Sequence, residues 1–204
     1  MHATTTHPDL RPATDEVARL VAGVRDEQLA GTTPCPDYSV AALLDHLMGL
    51  CVAFTSAARK EPMPAGDGES QQGAATADNL DPDWRERLPV RLRDLAQAWD
   101  DPAAWEGTTS AGGVDAPAPE IAVVALDELV IHGWDLARAT GQSFDCDPVS
   151  TEAVLAFAEA NATIEGSEQV GLFGPAVAVP DDAPDLDRAL GFAGRRPDWT
   201  PDPR

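Results

Sequence analysis

Apolar residues recur at helical spacing along most of the chain, and Gly/Pro-rich connections separate the segments they define, which predicts a mainly α protein. A first helix is expected to start after Thr14, an N-cap followed by Asp15 and Glu16, with Val17, Leu20, Val21 and Val24 inward, and to end before Gly31. The segment TTPCPDYS at 32–39 reads as a rigid turn, with Ser39 capping a second helix that runs to about Arg59. Its apolar stripe is Val40, Leu43, Leu44, Leu47, Cys51 and Phe54. Asp45 points the other way, and His46 sits on the flank beside Leu43 and Leu50, where its ring reaches the interior. A third helix is expected from Asp83 to Trp99, with Leu88, Leu92, Leu95 and Trp99 inward and Pro89 breaking or kinking it near the middle.

Between these helices, residues 61–80 are polar and aperiodic and read as a long mobile loop, and residues 101–119 as a connection holding one short strand or hairpin. A fourth helix follows over Glu120–Thr140, closed by Gly141. A fifth is expected from Ser150, its cap, to Asn161. Beyond it come a short strand at Ala176–Val179 and a sixth helix capped by Asp182 with Pro184 near its first position. Residues 1–12 read as a flexible arm, and 13–204 as a single helical-bundle domain with a C-terminal extension.

The fourth helix carries the chemistry. At about 100° per residue, Ile121, Ala125, Glu128, His132, Asp135 and Ala139 share one stripe, so a carboxylate and an imidazole lie one turn apart among apolar neighbours. Burying such groups is costly unless they are paired, hydrogen-bonded or metal-bound. On the metal reading, Glu128 and His132 give one oxygen and one nitrogen to a divalent cation, and a third ligand must come from another helix. His46 is the obvious candidate. Asp135, one turn past His132, is placed to accept the other ring N–H of a ligand histidine. The competing reading is a buried Glu–His hydrogen bond that only joins two helices.

Composition narrows the partners. A net charge of −21, from 35 acidic and 14 basic residues, argues against nucleic acid and against an anionic membrane surface, since both need clustered cations. Aromatics at 5% suit closely packed helices better than a β-sandwich. Cys35, Cys51 and Cys146 are odd in number and widely spaced, which favours free thiols in a reducing cytoplasm; a reactive Cys35 stays open beside an inert buried one. Of the arginines on the third helix, Arg85, Arg87, Arg91 and Arg93, one turning inward to hold a carboxylate substrate is the alternative to a solvated face. His2 and His7 leave a chance metal contact open. The oligomeric state is not fixed by the sequence, which is compatible with a homodimer.

The segments PCPDYSVAALLDHLMGL, DELVIHGWDLARATGQ and GPAVAVPDDAPDLDRALGFAGRRPDW together resemble the actinobacterial branch of the DinB/YfiT-like superfamily, in particular the mycothiol-dependent maleylpyruvate isomerase-like or mycothiol S-transferase-like proteins. The resemblance covers nearly the whole chain. It implies a DinB-like four-helix bundle with a metal held by His46, Glu128 and His132. Many superfamily members use three histidines, whereas this chain has Glu128 at one position, as the isomerase-like branch does. The catalytic arginine of that branch has no alignable counterpart among the arginines at 85–93, and the 61–80 loop matches no motif of the family.

A His2Glu set with an open position belongs to a catalytic or ligand-binding metal. Zn²⁺ suits it best, and Ni²⁺, Fe²⁺, Co²⁺ and Mn²⁺ accept the same ligands. The expected function is activation of mycothiol, as cosubstrate, for transfer to or isomerisation of a small electrophile. A metal-binding module without turnover and a metallohydrolase with hydroxide as nucleophile are the alternatives.

Overall fold

A computed structural model describes residues 7–64, 75–163 and 173–201. Among them, six helices and one hairpin follow in chain order: α1 (Arg11–Gly23), α2 (Val40–Arg59), α3 (Trp84–Trp99), β1 (Thr108–Ala111), β2 (Val114–Pro117), α4 (Ala118–Thr140), α5 (Pro148–Asn161) and α6 (Asp185–Phe192). The first four helices make the bundle, α1 and α2 each packing against both α3 and α4. The hairpin lies against α2 and α4, while α5 rests on α4 and carries α6.

The core is mostly leucine, with Leu20, Leu43, Leu44, Leu47, Leu88, Leu92, Leu95 and Leu126 all inaccessible or nearly so. Each contributes about 1.5–3 kcal/mol relative to exposure. Small residues let α4 be approached closely. A Cβ at Gly133 would sit 3.0 Å from Phe144 and 3.1 Å from Val17, so α1 and the segment after α4 close directly on its backbone. α2 is long and apolar enough to cross a membrane, but most of it is buried inside the bundle, where the same composition is what a central helix requires.

Each local device has a chemical cause. The Ser39 side chain accepts from Ala42 N–H and caps α2. Gly141, at φ +70°, closes α4 in the left-handed conformation that glycine adopts without a Cβ clash. The hairpin turns through Gly112 and Gly113, at φ +59° and +81°, as a two-residue loop matched to strand twist demands.

Several expectations are corrected. α1 starts at Arg11 instead of after Thr14, because the Asp9 carboxylate already accepts Arg11 N–H at 2.9 Å and Pro12 suits the first turn. Thr14 is buried within the helix, its hydroxyl donating to Arg11 O. Leu10 belongs to the core and His7 stacks on Trp105, with centroids 4.1 Å apart. Residues 1–6, with His2, and 65–74 of the expected loop lie outside the described residues.

α3 runs through Pro89 unbroken, since the burial of Leu88, Leu92 and Leu95 holds the helix despite the missing N–H. Asp45 does not point to solvent: it is buried and accepts from Thr76 N–H at 3.2 Å. α5 is capped by Asp147, which takes the N–H groups of both Val149 and Ser150; Ser150 is buried in the first turn. No strand forms at 176–179. There Ala176 N–H donates to Thr163 O at 3.0 Å and Val177 N–H to Gly191 O at 2.8 Å, so its donors are divided between the end of α5 and α6 instead of a sheet. α6 starts after Pro184, with no side-chain cap from Asp182.

Ser39→Ala is expected to cost about 0.5–2 kcal/mol through loss of the α2 cap, read as a lowered urea midpoint with an unchanged slope. An unchanged midpoint would show that the cap is dispensable.

Candidate metal centre

α2 and α4 face one another so that His46 meets Glu128 and His132. His46 Nε2 lies 3.4 Å from Glu128 Oε2, and His132 Nε2 lies 3.2 Å from the same oxygen. One ligand-type atom from each residue falls within 4.8 Å of the other two. The i,i+4 spacing places Glu128 and His132 on one face, and α2 supplies the third group from across the interface. His46 and Glu128 remain 23% and 29% exposed, so the trio has one open side.

The opposite side is closed by a buried relay. His132 Nδ1 lies 3.0 Å from Asp135 Oδ2, and the same oxygen accepts from Arg195 Nη2 at 2.9 Å. Asp135 is completely buried and Arg195 nearly so. A carboxylate paired with a guanidinium only accepts, so Nδ1 carries the ring proton and Nε2 is left free toward Glu128. This is the tautomer a metal ligand needs, with its partner in the place such carboxylates occupy.

Arg195 reaches this position through α6. Gly194 takes φ +77° just after the helix, with Gly174 and Pro175 within 3.2 Å of where a Cβ would stand, and the turn sends Arg195 back into the bundle. Its remaining donor goes to Ala193 O at 2.8 Å.

Charge follows geometry. Burial would lower the His132 pKa, but the bonds to Asp135 and Glu128 outweigh it and raise it to about 9. Burial likewise pushes Glu128 up, and hydrogen bonds from His132 and His46 prevail, holding it far below the usual carboxylate range. The donor set, the fixed tautomer and the anionic Glu128 all fit a divalent cation.

The open side of the trio gives onto a cleft of about 1100 Å³ between α2, α4, α5 and the hairpin. Tyr38 lines it, its ring centroid 5.0 Å from that of His46. Burial raises the Tyr38 phenol's pKa. Neither Tyr38 nor Arg195 was singled out by the sequence. Tyr38 sits in a turn with no periodicity to read, and Arg195 and Arg196 are indistinguishable until the Gly194 turn buries one and leaves the other paired with exposed Asp198.

Three of the arginines of α3 are engaged elsewhere, Arg85 with Val24 O and Asp26, Arg87 with Asp81, and Arg91 with Met48 O, and Arg93 is exposed. None of the four lines the cleft. Cys35 is buried, and desolvation raises its pKa, which favours the inert reading.

A mainly helical bundle with two histidines and a glutamate converging between two of its helices belongs to the class of bundles that build ligand and metal sites from side chains on facing helices. Within it, the sequence pattern of the mycothiol maleylpyruvate isomerase N-terminal domain matches residues 10–137, and the chain belongs to that family. An uncharacterized protein of Mycobacterium tuberculosis, present in two strains, is 29% identical over 192 residues, covering 90% of this chain and 93% of its own. Crystal structures of the mycothiol-dependent maleylpyruvate isomerase and of a point mutant superpose with a TM-score of 0.55 at 22% identity, over 75% of this chain and 67% of theirs. The fold is DinB-like.

Two expectations follow from the relay. Arg195→Met leaves Asp135 charged, buried and without its cation, and should cost about 3–5 kcal/mol. A double-mutant cycle with Asp135→Asn should recover a large coupling in urea denaturation, and additivity would dismiss the pair. In chelated protein, the raised His132 pKa contributes stability that is complete below about 6.5 and is lost as pH rises through about 9. The stability difference between wild type and His132→Gln should therefore shrink across that window, and a constant difference would contradict the assignment.

Proposed function

We propose that the chain holds one divalent cation through His46, Glu128 and His132 and uses it to activate a low-molecular-weight thiol, mycothiol, for transfer to or isomerisation of a small electrophile. The observation that carries this reading is the convergence of the three ligand atoms, with His46 and Glu128 lining a cleft of ligand-binding size. Pockets for drug-sized ligands are about 300–1,000 Å³, and this cleft, at about 1100 Å³, is at the upper end of that size. Family membership supports the thiol, since the family and the superposing structures are named for mycothiol dependence. Zn²⁺ suits the donors best, and Ni²⁺, Fe²⁺, Co²⁺ and Mn²⁺ accept them too.

When bound, the cation supplies the Lewis acidity that keeps a coordinating thiol deprotonated at neutral pH. The chain's own part is positional. Asp135 fixes the His132 tautomer, Arg195 pairs with Asp135 from behind, and Glu128 presents its carboxylate between two imidazoles. The three free cysteines support a reducing cytoplasmic setting.

Untagged protein should carry about one metal ion per chain by mass spectrometry, lose melting temperature with chelator, and gain it again with mycothiol. His132→Ala should lose metal and thiol response together. Full metal content in that variant, or a wild type indifferent to chelator, would sink the proposal.

A further inference from the structure

The walls of the cleft carry a second message. Leu50, Ala53, Phe54, Ile121, Val124 and Phe157 make most of the surface beyond the trio. Its other ionisable wall groups, besides the Tyr38 phenol, are both acids, Asp45 and Glu120, and no lysine or arginine lines it among the described residues. Arg91, Arg138 and Arg195 donate to Met48 O, Trp199 O and Asp135, away from the cleft. The two internal segments outside the described residues, 65–74 and 164–172, contain no Lys, Arg or His, so no cation can come from them. The whole chain carries −21.

Beyond the trio, a carboxylate lying against these walls would give up its hydration with no guanidinium to receive it and would approach against the field of the protein. Carboxylate substrates are ordinarily held by arginine forks. Maleylpyruvate, the dicarboxylate for which the superposing enzyme is named, has no such partner here.

We infer that the cleft binds an uncharged, apolar molecule, and that the electrophile of this protein is of that class, an α,β-unsaturated carbonyl with a hydrocarbon tail lying between α2, α4 and α5. Thiol addition to it breaks S–H and the C=C π bond and forms one C–S and one C–H bond, with no leaving group and no redox partner. Calling the occupant an electrophile rests on the thiol-activation reading, whereas its apolar, uncharged character rests on the walls alone.

The test is a fluorescence titration of the full chain with N-phenyl-1-naphthylamine, an uncharged apolar probe, on both metal-replete and chelated protein. One saturable site per chain is expected, displaced in the chelated protein by 2-nonanone and not by maleate at a concentration about a hundredfold higher, because unpaired carboxylate desolvation costs several kcal/mol. Val124→Arg, checked for helicity by circular dichroism, should weaken the probe about tenfold or more by placing a charge on the apolar wall and should allow maleate to compete. Absence of probe binding, or displacement by maleate as readily as by the ketone in wild type, overturns the inference whatever the variant does. Because the chelated protein is titrated too, a failure of the metal proposal and a failure of the apolar cleft give different results.

Discussion

The buried carboxylate of Asp135 is the interaction on which the site depends. It accepts from His132 on its own helix and from Arg195, sixty residues later in sequence. Taking an aspartate and an arginine out of water is expensive, and two charges that satisfy each other only partly repay it. Such a pair is weak evidence for stability and better evidence for position. Here the position is that of the His132 ring, whose Nε2 is held toward Glu128 by the bond at Nδ1. The C-terminal region is thereby part of the site. α6, the Gly194 turn and the stretch bonded to Gly191 serve to bring one guanidinium behind one carboxylate.

The rest of the bundle makes that relay possible by being almost featureless. α2 could pass for a membrane helix, and α4 is buried over most of its circumference because α1 and α2 cover one part and α5 another. In that dry setting each interaction among Glu128, His132, His46, Asp135 and Arg195 is strengthened, and the pKa shifts of His132 and Glu128 in opposite directions express the same attraction. A solvated version of the trio would neither hold its geometry nor discriminate a cation from a proton.

What the sequence made legible follows from periodicity. Glu128, His132 and Asp135 declared themselves because three polar groups occupy one stripe of an apolar helix, and His46 because it flanks the stripe of another. The helices were legible for the same reason. Caps were less so: Thr14, Ser150 and Asp182 are good capping residues, but Leu10, Asp147 and Pro184 hold the positions that the packed backbone uses. A cap is decided by where tertiary packing starts the helix, which no local pattern encodes. Arg195 was illegible for a related reason. A pair of adjacent arginines after a helix reads as a surface feature, and only the fold shows which of the two is turned inward.

The trio and the cleft answer to different constraints. His46, Glu128 and His132 are restricted by coordination chemistry, which tolerates few residue types and little displacement. The walls at Ala53, Val124 and Phe157 are restricted only by what must lie against them, and any apolar residue of similar size keeps the fold. Relatives can therefore share a ligand set while accepting unlike second substrates, since the group that activates the thiol does not touch the part of the electrophile that the walls select. An activity named from one member thus transfers with the trio as chemistry and not as substrate. In this chain the walls are apolar and their ionisable groups beyond the trio and the Tyr38 phenol are acidic, so what the walls select is uncharged matter, whatever chemistry the trio supplies.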